Sequence, residues 1–171
     1  DIFKLRQIDK WANNHLYQDT LPLEIFNKLD IDPKNHSKIQ LGMSRSPYSI
    51  PAIIPITNEL LFILGLYVAE GSGCYKKFSF TLGSHEKDLI IELKKGFYSV
   101  FNVSLKDRHP HKSVNQLSID SEIFREIFED LFKCGHGAKN KRVPYFIFGL
   151  KEQFIRYFLR GYFLGDGHCR N

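Results

Sequence analysis

Two acidic residues, Glu70 and Asp166, occupy the same place in two similar nonapeptides. The stretches are ILGLYVAEG at 63–71 and LRGYFLGDG at 159–167, at an offset of 96 residues, from position 70 to position 166. Two adjacent carboxylates repel each other, and they are tolerated where divalent cations lie beside them. Hard cations held by carboxylate, water and phosphate oxygens are what phosphodiester hydrolysis uses. The repeat therefore indicates a metal-dependent hydrolytic site.

Small residues in both nonapeptides show how the acids would meet. Gly65 and Ala69 are four residues apart, as are Gly161 and Gly165, so each predicted helix has one face without bulky side chains. Two such faces can approach more closely than the usual roughly 8–10 Å between helix axes. We expect the two helices to pack together and to bring both carboxylates to one end of their interface.

The alternative interpretation of each motif is a buried helix that ends at an acid and a glycine. For one motif alone that interpretation would be preferred, because the pattern is short. Two copies at domain-length spacing, with an acid at the same position, favour a paired site, since repeats seldom arise by accident.

The hydrophobic periodicity places these motifs on helices and puts strands between them. Thr57 is a plausible cap for an apolar helix over 60–69, and a last helix is predicted over 151–165. Between them the pattern predicts, in order, a hairpin or strand over 74–82, a helix over 85–101, strands over 103–109 and 114–119, and a helix capped by Ser121 and running to 132. The expected fold class is α+β, with an αββαββα unit and an antiparallel sheet.

The predicted elements divide the chain into three regions. Residues 1–57 are expected to form a helical appendage, with an apolar stripe of Leu5, Ile8, Trp11 and Ala12, followed by an extended linker over 31–57. Residues 58–150 form the first αββαββα repeat. Residues 151–171 form the first helix of a second repeat, truncated after that helix.

Composition agrees with a folded intracellular protein. The 171 residues are 43% hydrophobic and carry a formal net charge of +5, which is weak support for a polyanionic partner. The three cysteines form no C-x-x-C pair, which favours a reducing, cytoplasmic location, and the spacing of Cys134, His136, His168 and Cys169 fits no familiar zinc site. The longest apolar run, 60–69, is half of what a membrane helix needs, so no membrane partner is expected.

Both nonapeptides resemble the LAGLIDADG motif of homing endonucleases, and the αββαββα order resembles that family's repeat unit. The stretch GAKNKRVP at 137–144, followed by YFIF, looks like the block before the second motif in endonucleases embedded in archaeal inteins. The resemblance implies that Glu70 and Asp166 are ligands of Mg²⁺, with Mn²⁺ or Ca²⁺ able to substitute in binding. It also implies a catalytic role for Lys141, whose alternative is an ordinary solvated loop lysine.

The resemblance further implies a saddle-shaped pseudo-dimer that straddles double-stranded DNA and cuts it at a long recognition site. In that arrangement the sheet lies in the major groove and reads bases. The candidate DNA contacts are Ser72, Tyr75, Lys76, Lys77, Lys106, Arg108, His111, Lys112, Gln116, Lys139 and Arg142.

Two departures bear on this resemblance. The sequence ends four residues after the second motif, so we expect a missing C-terminal half. It also lacks the terminal residues that protein splicing needs, so a separate splicing domain is the other expected partner. The alternatives to a site-specific endonuclease are a non-cleaving nucleic-acid-binding protein, such as an RNA maturase or a transcription regulator, and an inactive remnant.

Overall fold

The computed structural model describes residues 20–29, 32–35, 38–43 and 46–166, and the fold is α+β with antiparallel sheets. The strands are β1 (Gln40–Gly42), β2 (Ser49–Pro51), β3 (Gly71–Cys74), β4 (Lys77–Gly83), β5 (Lys106–His111) and β6 (Val114–Ile119). The helices are α1 (Leu23–Phe26), α2 (Asn58–Glu70), α3 (Lys87–Phe101), α4 (Glu122–Glu126) and α5 (Glu152–Asp166). Short 3₁₀ turns cover Pro33–Asn35, Ala138–Asn140 and Tyr145–Gly149.

The chain divides into two compact units, Asp1–Ser37 and Lys38–Asn171. In the first, the described residues include α1, which directly follows Pro22. The apolar stripe predicted from Leu5 to Ala12 lies outside the described residues.

Residues 38–57, which the sequence pattern assigns to a linker, belong to the second unit. They contain the β1–β2 hairpin, in which Leu41 pairs with Ile50. Ile50 is 1% exposed and joins the main core. Tyr48 and Ile54 also pack against that core, so several side chains tie the segment to it. The Pro- and Ser-rich sequence around Ile50 gave no strand signal.

The main sheet has the strand order β3-β4-β6-β5, and every neighbouring pair is antiparallel. Phe78, Phe80 and Leu82 alternate along β4 and are buried on the face that meets the helices. Opposite them, Leu117 and Ile119 of β6 bury the same face. This alternation fixes the register, because a slip by one residue would turn the apolar side chains to the other face.

Helix α2 is the central element of the core. The Thr57 side chain accepts a hydrogen bond from the backbone N–H of Leu60 (3.2 Å), so the predicted cap is present. Nine consecutive residues of the helix, from Leu60 to Val68, are buried. The chain then enters β3 at Gly71 in an extended conformation, with φ −74° and ψ 154°. Gly71 is therefore not a left-handed turn residue, and a Cβ there would instead collide with the ring of Tyr67.

The helix after β6 differs from the expected one. Ser121 precedes α4 but makes no capping hydrogen bond, and its buried Oγ has no partner among the described residues. After five residues the α-helix continues as a π-helix over Ile127–Leu131.

Within the described ranges, no helix is long and apolar enough to cross a membrane.

Candidate metal centre and nucleic-acid interface

Helices α2 and α5 make the most extensive contact between any two described elements, and they meet at glycines. A Cβ on Gly65 would overlap the carbonyl oxygen of Phe158, and one on Gly161 would overlap the carbonyl oxygen of Phe62. The two backbones therefore touch directly at this point. Glycine is required here for close approach, as the spacing of the small residues predicts.

The helix interface continues to the ends that carry the acids. A Cβ on Gly165 would lie 2.6 Å from the Cβ of Ala69 and 3.1 Å from the Cγ of Glu70. Glu70 is half-buried and Asp166, the next residue after Gly165, is exposed. The structure thus places both candidate metal ligands at the same end of the helix pair.

Burial raises the pKa of the Glu70 carboxyl above its ordinary value. The charge of Lys141 opposes this effect, while the nearby negative charges of Asp166 and Glu86 raise the pKa further. Glu70 is therefore a carboxylate whose charge is not fully balanced by its protein neighbours. A group of this kind gains from a bound cation.

Lys141 lies against this acidic end and not in open solvent. Its Nζ donates a hydrogen bond to the backbone carbonyl oxygen of Ala69 (3.1 Å) and lies 5.6 Å from the ring centre of Tyr67. Burial lowers the pKa of the Lys141 ammonium, and the negative charges of Glu70 and Asp166 counteract that fall. The structure therefore brings three candidate residues together, two acids and one lysine.

The loop that carries Lys141 is folded back by specific backbone bonds. The N–H of Arg142 donates to the carbonyl oxygen of Cys134 (2.9 Å), and the N–H of Cys134 donates to Phe128 (2.9 Å). Gly135 adopts φ +81°, and a Cβ there would overlap the carbonyl oxygen of Asn140. These contacts hold the residues before Lys141 in one tight turn.

Glu129 is a buried acid that contacts this loop, and the sequence analysis missed it. Its side chain is in contact with Tyr67 Oη (3.4 Å), His136 Nδ1 (3.0 Å) and Arg125 Nη1 (3.5 Å). It lies within the π-helix, where one extra residue per turn shifts the side-chain positions. The sequence gives no signal for a π-helix, so its pattern indicates only a polar position on an amphipathic helix for Glu129.

Glu86 is a second residue that sequence reasoning missed. It stands directly before α3, and its Oε2 accepts a hydrogen bond from the backbone N–H of Gly83 (2.6 Å). Its negative charge helps to raise the pKa of the Glu70 carboxyl. Nothing in the spacing of Glu86 relative to the two motifs could have indicated this proximity.

The sheet face turned away from the helices is polar, and the predicted DNA contacts in the strands share it. Ser72 pairs with Ser79, and Arg108 pairs with Gln116, so the side chains of each pair lie on the same face of the sheet. By the two-residue alternation of strands, the candidates on this open face are Ser72, Lys77, Lys106, Arg108, His111 and Gln116.

Three contacts order the polar groups of this open face. Lys77 Nζ donates to Gln116 Oε1 (2.6 Å). Arg108 Nη2 donates to both oxygens of Asp120 (2.8 and 3.1 Å), and Lys106 Nζ lies 3.8 Å from the same carboxylate. The cationic side chains are thus held in place across three adjacent strands.

The other predicted DNA contacts lie at turns and loops. Tyr75 and Lys76 form the β3–β4 turn, where Tyr75 is 88% exposed, and Lys112 lies in the β5–β6 turn. Lys139 is exposed in the Ala138–Asn140 turn. Arg142 is exposed, and its Nε donates to the carbonyl oxygen of Lys133 (3.2 Å). These residues are therefore not part of the sheet surface.

No set of three or more His, Cys, Asp and Glu side chains converges to hold an ion within the described ranges. Cys134 is fully buried, and burial raises the pKa of its thiol to about 12. A neutral thiol of this kind is a poor zinc ligand. The other two residues of the zinc pattern considered from sequence, His168 and Cys169, lie outside the described residues.

Comparison with known proteins gives relatives among archaeal proteins of nucleic-acid metabolism. The chain is 41% identical over 126 residues to a replication factor C small subunit of Methanocaldococcus jannaschii, covering 66% of this chain and 7% of that protein. It is 26% identical over 185 residues to a DNA polymerase II large subunit of Thermococcus kodakarensis, covering 98% and 10%. It is 28% identical over 121 residues to the DNA-directed RNA polymerase subunit Rpo1C of M. jannaschii, covering 70% and 14%.

The chain thus spans at most about a seventh of the length of these three relatives. No protein-family profile matches the chain.

Proposed function

We propose that the chain belongs to a metal-dependent, site-specific DNA endonuclease of the LAGLIDADG homing type, of the kind embedded in inteins. The observation that carries this proposal is the meeting of Glu70 and Asp166 at one end of two helices whose backbones touch at Gly65 and Gly161. A structural helix pair needs the glycines but has no need of two carboxylates at the same end.

The donor set fits Mg²⁺. This ion prefers oxygen ligands and is often bound by one or two carboxylates, with water and substrate phosphate completing its shell. Glu70 and Asp166 supply two carboxylates, so the absence of a third converging ligand in the described part of the chain agrees with a site that the substrate completes. The raised pKa of Glu70 marks the same place as one where a cation would be favourable.

Each residue has a definite role in the proposed reaction. When bound, the divalent ion supplies a water of lowered pKa and a positive charge beside the scissile phosphate. Glu70 and Asp166 hold the ion at the helix ends. Lys141 donates a hydrogen bond and, because burial lowers its pKa, can give up a proton more readily than an exposed lysine.

The open sheet face supports duplex DNA as the substrate. It carries cationic and amide side chains on three of its four antiparallel strands, and a two-stranded β ribbon can enter the major groove. The net charge of +5 suits a polyanion.

The relatives support an inserted element. A replication factor subunit, a DNA polymerase subunit and an RNA polymerase subunit have different names, yet each matches between 66% and 98% of this chain. A segment that is common to such different proteins is best explained as a module inserted into each of them. It is not expected to contribute to the activity for which any one of them is named.

The test is strand cleavage. The full-length protein that carries this chain is incubated with a randomised duplex library and Mg²⁺ or Mn²⁺, and the new DNA ends are sequenced. The proposal expects recurrent ends that disappear with Glu70→Gln and with Asp166→Asn. Glu152→Gln, at the other end of α5 and 80% exposed, should leave them unchanged. Enrichment of bound duplexes without any cutting would instead indicate the alternative, a non-cleaving nucleic-acid-binding protein.

A further inference from the structure

The centre of the open face carries three polar side chains from three adjacent strands. Gln116 on β6 pairs with Arg108 on β5, and the head group of Lys77 on β4 reaches Gln116. All three belong to the set of side chains that point away from the helices. Their hydrogen bonds to one another and to Asp120 decide what each can still offer a ligand.

The acceptor of Gln116 is engaged by Lys77. An ammonium group only donates, so the bond from Lys77 Nζ fixes the Gln116 amide with Oε1 toward the lysine (2.6 Å) and Nε2 away from it. An unrestrained glutamine reads adenine by donating to N7 and accepting from N6. Gln116 held in this way turns its Nε2 donor away from Lys77, while one of the two lone pairs of Oε1 is committed to the lysine.

Arg108 is held in one orientation with donors to spare. Its Nη2 serves both oxygens of Asp120, and in the described part of the chain its Nη1 and Nε donate to no other group. Asp120 follows β6 by one residue and lies on the same face as Gln116. The guanidinium therefore keeps Nη1 and Nε as donors for a ligand on the open face.

We propose that Lys77, Gln116 and Arg108 select guanine in the bound duplex and that Asp120 is the positioning residue for Arg108. The proposal rests on the proposed DNA-binding function. Guanine shows two acceptors in the major groove, O6 and N7, whereas adenine pairs its acceptor with a donor and cytosine shows a donor. Thymine shows one acceptor, O4, beside a methyl group. A cluster made mostly of donors therefore matches the two acceptors of guanine better than the edge of any other base.

Asp120 separates this role from simple phosphate binding. Its carboxylate offsets part of the positive charge of Arg108 and Lys106 and so weakens their attraction for phosphates of any sequence. At the same time its two hydrogen bonds hold the Arg108 guanidinium in one orientation. Removing the charge should therefore strengthen non-specific binding and weaken base discrimination, two changes in opposite directions that lost stability alone would not produce.

The experiment uses the 171-residue chain in Ca²⁺. Duplexes are selected from a random pool, and affinity is then measured for the selected duplex and for a copy in which 7-deazaguanine removes the N7 acceptor. The wild type should lose roughly tenfold in affinity for the altered copy, the size expected of one good base contact. Asp120→Asn should lose that preference and bind unselected duplex more tightly. Lys106→Gln, the matched control, should weaken both duplexes equally.

The outcomes are distinct. Selected duplexes whose binding is unaffected by 7-deazaguanine, or an Asp120→Asn variant that keeps the full preference, would overturn guanine selection and leave DNA binding intact. Failure to enrich any duplex would overturn the proposed function, and guanine selection with it.

Discussion

Lys141 donates a hydrogen bond from Nζ to the backbone carbonyl oxygen of Ala69, 72 residues earlier in the chain, at 3.1 Å. The bond joins the loop before the second motif to the helix end of the first. It puts a cation next to Glu70, and the two groups shift each other's pKa. The acidic end of the helix pair is thus a coupled group of two carboxylates and one ammonium.

Helix contact through glycine gives the first prediction. Gly65→Ala should lower the free energy of unfolding by about 1–3 kcal/mol or more, since the added methyl overlaps the Phe158 carbonyl and the backbones must separate. Urea denaturation measures the change. Gly149→Ala is the control, because a Cβ there meets nothing within 4 Å and should change stability by less than about 0.5 kcal/mol. Equal effects of the two variants would contradict the close contact.

The second prediction concerns pH. The pKa of Glu70 in the folded protein is raised above its ordinary value of 4.5, so its contribution to stability is fully present below that pH and is lost as pH rises through the folded pKa. In the absence of divalent ions, Glu70→Gln should therefore melt at a higher temperature than the wild type at pH 7. The difference should vanish near pH 4. A variant less stable than the wild type at pH 7 would contradict this account.

The third prediction tests the coupling of Lys141 to Glu70. Lys141→Met removes the cation that lowers the Glu70 pKa, so the pKa should rise further. Titration of Mn²⁺ binding against pH should then show half-maximal binding at a higher pH than in the wild type. Lys139→Met, in the same loop and exposed, should leave the midpoint unchanged. A Lys141 variant with the wild-type midpoint would show that this lysine is electrostatically independent of the site.

What the sequence could predict depended on local pattern. The four-residue spacing of Gly65 with Ala69 and of Gly161 with Gly165 is a property of a helix surface, so the contact of α2 with α5 could be inferred without coordinates. The alternation of Phe78, Phe80 and Leu82 likewise fixed which side of β4 is buried. These features need only the periodicities of helix and strand.

The features that escaped prediction depend on contacts between distant segments. Glu86 and Glu129 approach the site through a loop and a π-helix, and Asp120 meets Arg108 across a strand pair. Ile50 anchors a hairpin whose strands have three residues each, too short for a period-two pattern to be visible. In each case the partners are far apart in the sequence, and composition gives no sign of the pairing.

Divalent-ion binding tests the central claim most directly. Calorimetric titration of the chain with Mn²⁺ should show an ion bound in the wild type and in Glu152→Gln, and binding should be lost or greatly weakened in both Glu70→Gln and Asp166→Asn. That result would support one shared centre at the end of the helix pair. Binding that survives both substitutions, or that depends on only one of the two acids, would contradict it.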